Sequence, residues 1–198
     1  MDVTESLLRL LSEIEQFGAE NDQAIMERSR RMLNITRDTG EFLSVLVRAT
    51  NARRVLEIGT SNGYSTIWLA DAVRATGGHV TTVELSEFKL GLAAQNFNRS
   101  SLSSVITQIH DDAGRMLAKA TDQSFDLIFL DSERSEYPGW WPDIRRVLRK
   151  GGIVIVDNAI SHREEMAPFI AIVQADPDFT TCLVPVGNGE FLATRSST

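Results

Sequence analysis

Three polar residues directly follow apolar runs that are typical of buried strands. Asp131 follows the run 127–130 (LIFL), and Asp157 and Asn158 follow the run 153–156 (IVIV). Because the carboxyl ends of parallel strands meet at one edge of a sheet, we expect these side chains to lie together. Carboxylate and amide oxygens favour a hard cation, so the set predicts a Mg²⁺ site, with Ca²⁺ or Mn²⁺ as alternatives to Mg²⁺. Taken singly, each residue could instead cap the helix that follows it.

A glycine-containing turn separates a strand pattern from a helical pattern in the segment VLEIGTSNGYS, which begins at Val55. Gly59 and Gly63 permit positive φ angles and close approach of a ligand to the backbone. The spacing G-x-x-x-G differs from the dinucleotide fingerprint G-x-G-x-x-G. Glu57 would repel a diphosphate and attract an ammonium group, such as that of S-adenosylmethionine (SAM). The turn therefore favours SAM over NAD, and a turn without any ligand is the alternative.

Further carboxylates follow the next two predicted strands. Glu84 ends the strand pattern TVEL, where a carboxylate can accept hydrogen bonds from both hydroxyls of a ribose. Asp111 and Asp112 follow the third strand pattern, where either could accept from an adenine amino group. All three could instead stabilise the N-termini of the following helices.

Length and composition narrow the class of protein. The 198 residues fit a single domain with a substantial core, and the formal net charge of −7 disfavours a nucleic-acid partner. Cys182 is the only cysteine and is expected to be a small buried residue in a late strand. The sequence shows neither a basic, apolar leader pattern nor an apolar run of about 20 residues, so we expect a cytoplasmic protein with no membrane partner.

Short apolar runs alternate with helical patterns along the chain, which predicts an α/β fold. The expected architecture is Rossmann-like: a seven-stranded, mostly parallel sheet with helices on both faces and a C-terminal antiparallel hairpin. We expect one domain over 1–198, with an N-terminal helical segment (1–31) and a core (32–198). The predicted strands are 54–58, 79–85, 104–109, 125–130, 152–156, 179–185 and 190–194. The predicted early helices span 4–17 and 22–33, and Asp38 with Glu41 predicts a capping box for a third.

The motifs together resemble those of the metal-dependent class I SAM O-methyltransferases, which include the catechol and caffeoyl-CoA O-methyltransferases. The resemblance extends from about Met32 to the C-terminus. It is carried by LNITRDTGEFL from Leu33, VLEIGTSNGYST from Val55, TVEL from Thr82, DLIFLD from Asp126 and VDNAI from Val156.

The resemblance implies methyl transfer from SAM to a hydroxyl of a vicinal diol, usually a catechol, that is chelated on Mg²⁺. Asp131, Asp157 and Asn158 match the metal ligands of the family. Glu57, Gly59 and Ser65 would hold the amino-acid end of SAM, and Glu84 would hold the ribose. The full set of residues implied to bind the cofactor is Ile35, Glu57, Gly59, Thr60, Gly63, Ser65, Glu84, Leu85, Asp112, Ala113 and Asp131.

The sequence departs from the family at one catalytic position. The family usually places a lysine three residues after the first metal aspartate, where this chain has Arg134. An arginine stays protonated and cannot act as an ordinary general base, although it could stabilise a phenolate, bind a substrate carboxylate or be a surface cation. His162 and Glu133 are the alternative bases. The residues expected to carry the reaction are therefore Asp131, Arg134 and His162.

Aromatic residues follow the first metal aspartate. Tyr137, Trp140 and Trp141 could form a wall for a planar acceptor, although packing in the core is the commoner role of tryptophan. The expected partner is a small aromatic molecule.

The leading hypothesis is a Mg²⁺-dependent O-methyltransferase. A metal-independent small-molecule methyltransferase and a non-catalytic SAM-binding module are the alternatives. The opening helix has an apolar face that one sheet domain need not cover, so we also expect a homodimer.

Overall fold

The computed structural model describes residues 5–197, which form one seven-stranded sheet in the order β3-β2-β1-β4-β5-β7-β6. Strands β1 to β5 are parallel, and β7 runs antiparallel to both β5 and β6. The strands are β1 (Arg54–Ile58), β2 (His79–Glu84), β3 (Ile106–His110), β4 (Phe125–Leu130), β5 (Leu148–Val156), β6 (Phe179–Val184) and β7 (Glu190–Arg195).

Seven α-helices accompany the sheet in the described residues. They are α1 (Glu5–Ala24), α2 (Arg37–Ala49), α3 (Tyr64–Thr76), α4 (Glu87–Ser100), α5 (Ala113–Lys119), α6 (Tyr137–Val147) and α7 (Arg163–Ala175). Within these residues, no helix is long and apolar enough to cross a membrane.

Successive residues of the central strands face opposite sides of the sheet, as the period of a strand requires. Val55 packs with α1 to α4 on one face, whereas Leu56 packs with α5 to α7 on the other. Both faces of β4 are buried along its whole length, which explains its unbroken apolar sequence. The predicted fold class is therefore confirmed.

The N-terminal segment differs from the prediction. Helix α1 continues to Ala24, well beyond the predicted end at residue 17, and the predicted start at Thr4 lies outside the described residues. The predicted helix over 22–33 is wrong: it is replaced by the end of α1, a 3-10 turn at Arg28–Arg30 and irregular chain in which Leu33 has a positive φ of 52°. Asp22 stabilises this arrangement, because its carboxylate accepts the backbone N–H groups of Met32 and Leu33 at 2.6 and 2.7 Å.

The apolar face of α1 is covered by the chain itself. Leu7, Leu11 and Ile14 are buried in the same cluster as Val55, against α3 and α4. Polar contacts add to this packing, since Arg37 donates to Glu15 at 3.1 Å. The argument for a homodimer from an uncovered face of α1 is therefore wrong.

The capping box predicted before α2 is also wrong. The helix already includes Asp38 in its first turn. The Asp38 carboxylate instead accepts the Thr36 hydroxyl and, at 3.1 Å, the N–H of Gly187 in the β6–β7 turn. This contact between distant segments secures the start of α2 against the C-terminal hairpin.

Other local predictions also need correction. Strand β5 begins at Leu148, well before the predicted start at residue 152. Strand β3 begins at Ile106, because residues 103–105 form a 3-10 turn, so the predicted start at residue 104 is wrong. Cys182 lies in β6 as expected, but its side chain is exposed and not buried. It lies on the edge strand of the sheet, where solvent reaches the side chain.

Gly59 marks the closest approach between the β1 turn and the end of β4. Its φ is +105°, and a Cβ built on it would lie 2.0 Å from the carbonyl oxygen of Asp131. Gly63, at φ +86°, precedes α3 in the same turn. Glycine is therefore required at position 59 both by the backbone conformation and by the lack of space.

We predict that Gly59→Ala lowers the free energy of unfolding by about 3 kcal/mol or more, because it combines backbone strain with a steric clash. Gly77→Ala is the matched control: Gly77 also has a positive φ of +70°, but a Cβ there would meet nothing within 4 Å. The control should cost only about 1 to 2 kcal/mol. Urea unfolding of both variants measures the difference, and equal losses would contradict the proposed clash.

Candidate active site

A cavity of about 900 Å³ opens at the carboxyl ends of the parallel strands. It extends from the β1 turn to the loop after β5, so it brings together side chains that are more than 100 positions apart in the sequence. The predicted site residues that line it are Gly59, Glu84, Leu85, Asp112, Ala113, Asp131, Arg134, Asp157, Asn158 and His162.

Five predicted cofactor residues are buried around the cavity without lining it. Four of them belong to β1, to the turn after it or to the first turn of α3, and Ile35 belongs to the apolar cluster on the α1 to α4 face of the sheet. These residues are Ile35, Glu57, Thr60, Gly63 and Ser65.

Glu57 lies beneath the turn and is fully buried. Its carboxylate accepts hydrogen bonds from Ser65 at 2.6 Å, from Thr82 at 2.6 Å and from Thr66. Burial raises the pKa of Glu57 to about 7, although the three hydroxyl donors favour the charged form. The side chain thus links β1, β2 and the first turn of α3.

Glu84 lies at the end of β2 and holds the β1 turn against the β2–α4 loop. Its carboxylate accepts the N–H of Ser61 at 3.0 Å, and it also accepts the N–H groups of Leu85 and Ser86 at 3.0 and 2.9 Å. These contacts fix the carboxylate on the cavity wall, where its remaining lone pairs can accept from a ligand hydroxyl.

The two aspartates after β3 line the cavity in different ways. Asp112 caps α5 by accepting the N–H of Arg115 at 2.9 Å. Asp111 accepts the N–H of Asp112 and pairs with Arg115 and Lys119 at 3.0 and 3.6 Å. The backbone hydrogen bond and these cations lower the pKa of Asp111.

Asp131, Asp157 and Asn158 converge at the end of the cavity nearest β5. The Asn158 amide contacts Asp131 at 3.2 Å and Asp157 at 3.0 Å. Asp157 is only 3 % exposed. Burial, followed by repulsion from Asp157, raises the pKa of Asp131, and burial also raises that of Asp157. The structure therefore brings together the three residues predicted to bind a cation.

This donor set fits a hard divalent cation. One Asp157 oxygen, Oδ1, is buried and accepts from no N–H group and no Ser, Thr or Tyr hydroxyl of the described residues. Rotation of the Asn158 amide would direct its oxygen where its nitrogen now lies. No group of three His, Cys, Asp or Glu side chains within residues 5–197 could hold a metal, so such a site depends on the oxygen of Asn158.

Sequence reasoning missed Glu190, the first residue of β7, which is fully buried beside this set. It shares a hydrogen bond with Asp157, and its Oε1 accepts from Thr39 at 3.1 Å. Burial and the neighbouring Asp157 charge raise the pKa of Glu190, so the two carboxyl groups share a proton. A carboxylate directly after the predicted hairpin turn was the available signal.

Arg134 is 5 % exposed, so it is not a surface cation. Its Nε donates to Glu165 at 2.8 Å, whereas its buried Nη2 has no partner among the described residues. The guanidinium charge lowers the pKa of both Asp131 and Asp157 against the effect of burial. Arg134 therefore supplies positive charge next to the two carboxylates.

His162 and Glu133 lie at the rim of the same cavity. His162 is half-buried at the start of α7, and its Nδ1 contacts the Ser161 hydroxyl at 2.9 Å. Glu133 is exposed. Of the two, His162 is the less exposed, and its ring nitrogens can donate to or accept from a ligand.

The three aromatic residues after β4 have different positions. Trp140 lines the cavity, whereas Tyr137 and Trp141 are buried and pack edge-on against Phe169. The Tyr137 hydroxyl also accepts the N–H of Ser132 at 2.7 Å. Trp140 alone among them can contact an acceptor in this cavity.

Comparison with models of known protein families shows to which family the chain belongs. The O-methyltransferase family model matches residues 5–196. The chain belongs to the O-methyltransferase family. The predicted family and enzyme class are therefore confirmed.

Individual relatives agree with this assignment. A Mycobacterium sp. (strain JLS) protein, provisionally named an O-methyltransferase, is 32 % identical over 177 residues, which are 81 % of this chain and 79 % of the relative. The O-methyltransferase of Bacillus cereus, solved in complex with S-adenosylhomocysteine (SAH), is 26 % identical, with a TM-score of 0.81 over 95 % of this chain and 91 % of that one. The O-methyltransferase TomG of Streptomyces achromogenes, solved with SAM, is 25 % identical. Its TM-score is 0.75, and the match covers 98 % of this chain and 100 % of TomG.

The N-terminal segment of this O-methyltransferase also contributes to the cavity, which sequence reasoning did not predict. Arg28, Arg31 and Leu33 are among the residues that line it. The Ser61 hydroxyl donates to the carbonyl of Met32 at 2.7 Å and thereby joins this segment to the β1 turn.

We predict that Glu57→Gln changes how stability depends on pH. In the folded wild type the pKa of Glu57 is raised from 4.5 to about 7. Its contribution to stability is therefore full below pH 4.5 and is lost as the pH rises through about 7, by up to about 3 kcal/mol. Glutamine has nothing to ionise, so the variant should gain stability relative to wild type as the pH rises.

Urea unfolding from pH 5 to 8.5, with EDTA and without SAM, measures this difference. Glu41→Gln is the control, because Glu41 is exposed on α2. A parallel pH dependence in wild type and Glu57→Gln would contradict the raised pKa.

Proposed function

We propose that this O-methyltransferase takes a methyl group from SAM and transfers it to a hydroxyl of a small, catechol-like aromatic acceptor held on a divalent cation, with Mg²⁺ the best fit. One observation carries the proposal: the β1 turn and Glu84 line the same cavity as the cluster of Asp131, Asp157 and Asn158. Donor and acceptor bound in this cavity would lie next to each other.

The relatives solved with SAM and SAH support SAM as the donor. In this chain Glu84 would accept from the ribose, and Asp112 with Ala113 would border the adenine. Glu57 would act through the turn that it supports, since its oxygens already accept three hydroxyl groups. The backbone near Gly59 would approach the amino-acid end of SAM.

The chemistry requires an acceptor oxygen that is deprotonated and held in line with the methyl group. A phenol with a pKa of about 10 is mostly protonated at neutral pH. Asp131, Asp157 and Asn158 would hold the divalent cation, whose positive charge would favour the phenolate form of a bound diol. Positioning in this manner supplies a large part of the rate of such reactions.

The residues around the cluster would divide the remaining tasks. Arg134 cannot remove a proton, but its buried guanidinium would balance the negative charge of the bound phenolate. His162, at the cavity rim, would accept the phenol proton. Trp140 would pack against the acceptor ring.

Isothermal titration calorimetry tests this proposal. The protein is titrated with SAM and then, in its SAH complex, with a catechol such as caffeate, each with Mg²⁺ and again after EDTA treatment. We predict SAM binding under both conditions but catechol binding only with Mg²⁺, because the diol would bind through the cation. Asp157→Asn should weaken catechol binding at least tenfold and leave SAM binding unchanged.

The other results distinguish the alternatives. Catechol binding and methyl transfer that persist in EDTA would favour a metal-independent methyltransferase. Tight SAM binding without turnover of any acceptor in a broad panel would favour a non-catalytic SAM-binding module. Either result would contradict the cation-dependent reaction.

We also propose a homodimer, now through the edge strand β6 and the neighbouring helix α7. Leu183 on β6 and Ile172 on α7 are 50 % and 39 % exposed, and an unpaired strand edge can join a second copy. Light scattering should give twice the mass of the chain, and Leu183→Lys should halve it. A monomer at concentrations well above those of the assay would contradict this proposal.

The single-domain organisation and cytoplasmic location stay predictions from the sequence.

A further inference from the structure

Glu190 occupies an unusual position for a glutamate. It is fully buried, and it follows the turn formed by residues 187–189. The antiparallel register pairs Val156 of β5 with Phe191 of β7, so Glu190 lies beside Asp157. An isolated buried carboxyl group destabilises a fold, which raises the question of what this one does.

The contacts of Glu190 connect helix α2 to the cluster of Asp131, Asp157 and Asn158, which we call the cation cluster because it is proposed to bind a cation. The Glu190 side chain shares one hydrogen bond with Asp157, and its Oε1 accepts a second, from the Thr39 hydroxyl, at 3.1 Å. Oε2 of Glu190 and Oδ1 of Asp157 are both buried, and neither accepts from an N–H group or a Ser, Thr or Tyr hydroxyl of the described residues. The Asp157 carboxylate is thus oriented on this side by Glu190.

The turn before Glu190 is itself held against the loop that carries Asn158. The carbonyl of Gly189 accepts the N–H of Ala159 at 2.8 Å, and the carbonyl of Asn188 accepts the N–H groups of Ile160 and Ser161 at 3.1 and 3.0 Å. The backbone positions of Glu190 and of the cation cluster are therefore fixed relative to each other.

Glu190 does not act as a third carboxylate ligand. Within the described part of the chain, no three His, Cys, Asp or Glu side chains are arranged to hold a metal. Glu190 would influence a cation only through Asp157. Residues that orient metal ligands in other proteins act in the same indirect way.

We propose that Glu190 is a positioning residue of the cation site, which connects Asp157 to Thr39 and holds the Asp157 carboxylate in the orientation that binds the metal. The inference rests on the proposed function, because it assumes that Asp157 binds a cation. It adds a residue on β7 to a site otherwise formed at the ends of β4 and β5.

Two substitutions at one position test the inference. Glu190→Leu removes the hydrogen bond to Asp157, whereas Glu190→Gln keeps a side chain of the same shape that can still donate to it. Titration of the SAH-bound proteins with MgCl₂ in a calorimeter measures metal affinity without turnover. We expect Glu190→Leu to weaken Mg²⁺ binding about 10- to 100-fold. Glu190→Gln should stay within about threefold of wild type, because the donor is restored.

Thermal unfolding in EDTA separates positioning from a purely structural role. Glu190→Leu should unfold at the same temperature as wild type or above it, since it removes a buried carboxyl group from a cluster of carboxylates. Should this variant fail to fold, Thr39→Val tests the other end of the connection and should weaken Mg²⁺ binding several-fold.

Three results would overturn the inference. The first is Mg²⁺ affinity in Glu190→Leu, or in the substitute Thr39→Val, equal to that of wild type. The second is a loss in Glu190→Gln as large as that in Glu190→Leu, because the hydrogen bond would then be irrelevant. The third is an absence of Mg²⁺ binding in the wild type, which alone would also overturn the proposed cation site.

Discussion

The backbone contact between Gly59 and Asp131 is the constraint on which the site depends. No side chain fits between them, so the turn after β1 lies directly against the end of β4. Backbone hydrogen bonds extend this contact to both sides: Gly59 donates to Val83 at 3.0 Å, Asp131 to Ile58 at 3.0 Å and Asp157 to Leu130 at 3.1 Å. Four strand ends are thereby held in register at one edge of the sheet.

The same register concentrates negative charge in a buried place. Burial raises the pKa values of Glu57, Asp131, Asp157 and Glu190, and repulsion from neighbouring carboxylates raises those of Asp131 and Glu190 further. Arg134 balances only part of this charge. A cluster of carboxylates costs stability unless it is protonated or paired with a cation. Such clusters are typical of functional sites, where stability is sacrificed for binding or catalysis.

The sequence predicted the framework of the site well, because its signals are local. The apolar runs before Asp131 and Asp157 identify strands, and parallel strands bring their carboxyl ends to one edge. The N-terminal segment was harder to predict. Its helical pattern continues past Asp22, but that carboxylate accepts the N–H groups of Met32 and Leu33 and so favours a non-helical chain there. A contact across ten residues leaves no periodic signal.

By itself, the sequence determined the α/β class, the family, the glycine turn and the convergence of Asp131, Asp157 and Asn158, since each is encoded in adjacent residues or in the strand period. Only the tertiary structure decided that α1 packs within its own chain, that Arg134 is buried and that Glu190 contacts Asp157. The physical reason is range: propensity and periodicity act over a few positions, whereas burial and hydrogen bonding between β5 and β7 depend on how distant segments pack.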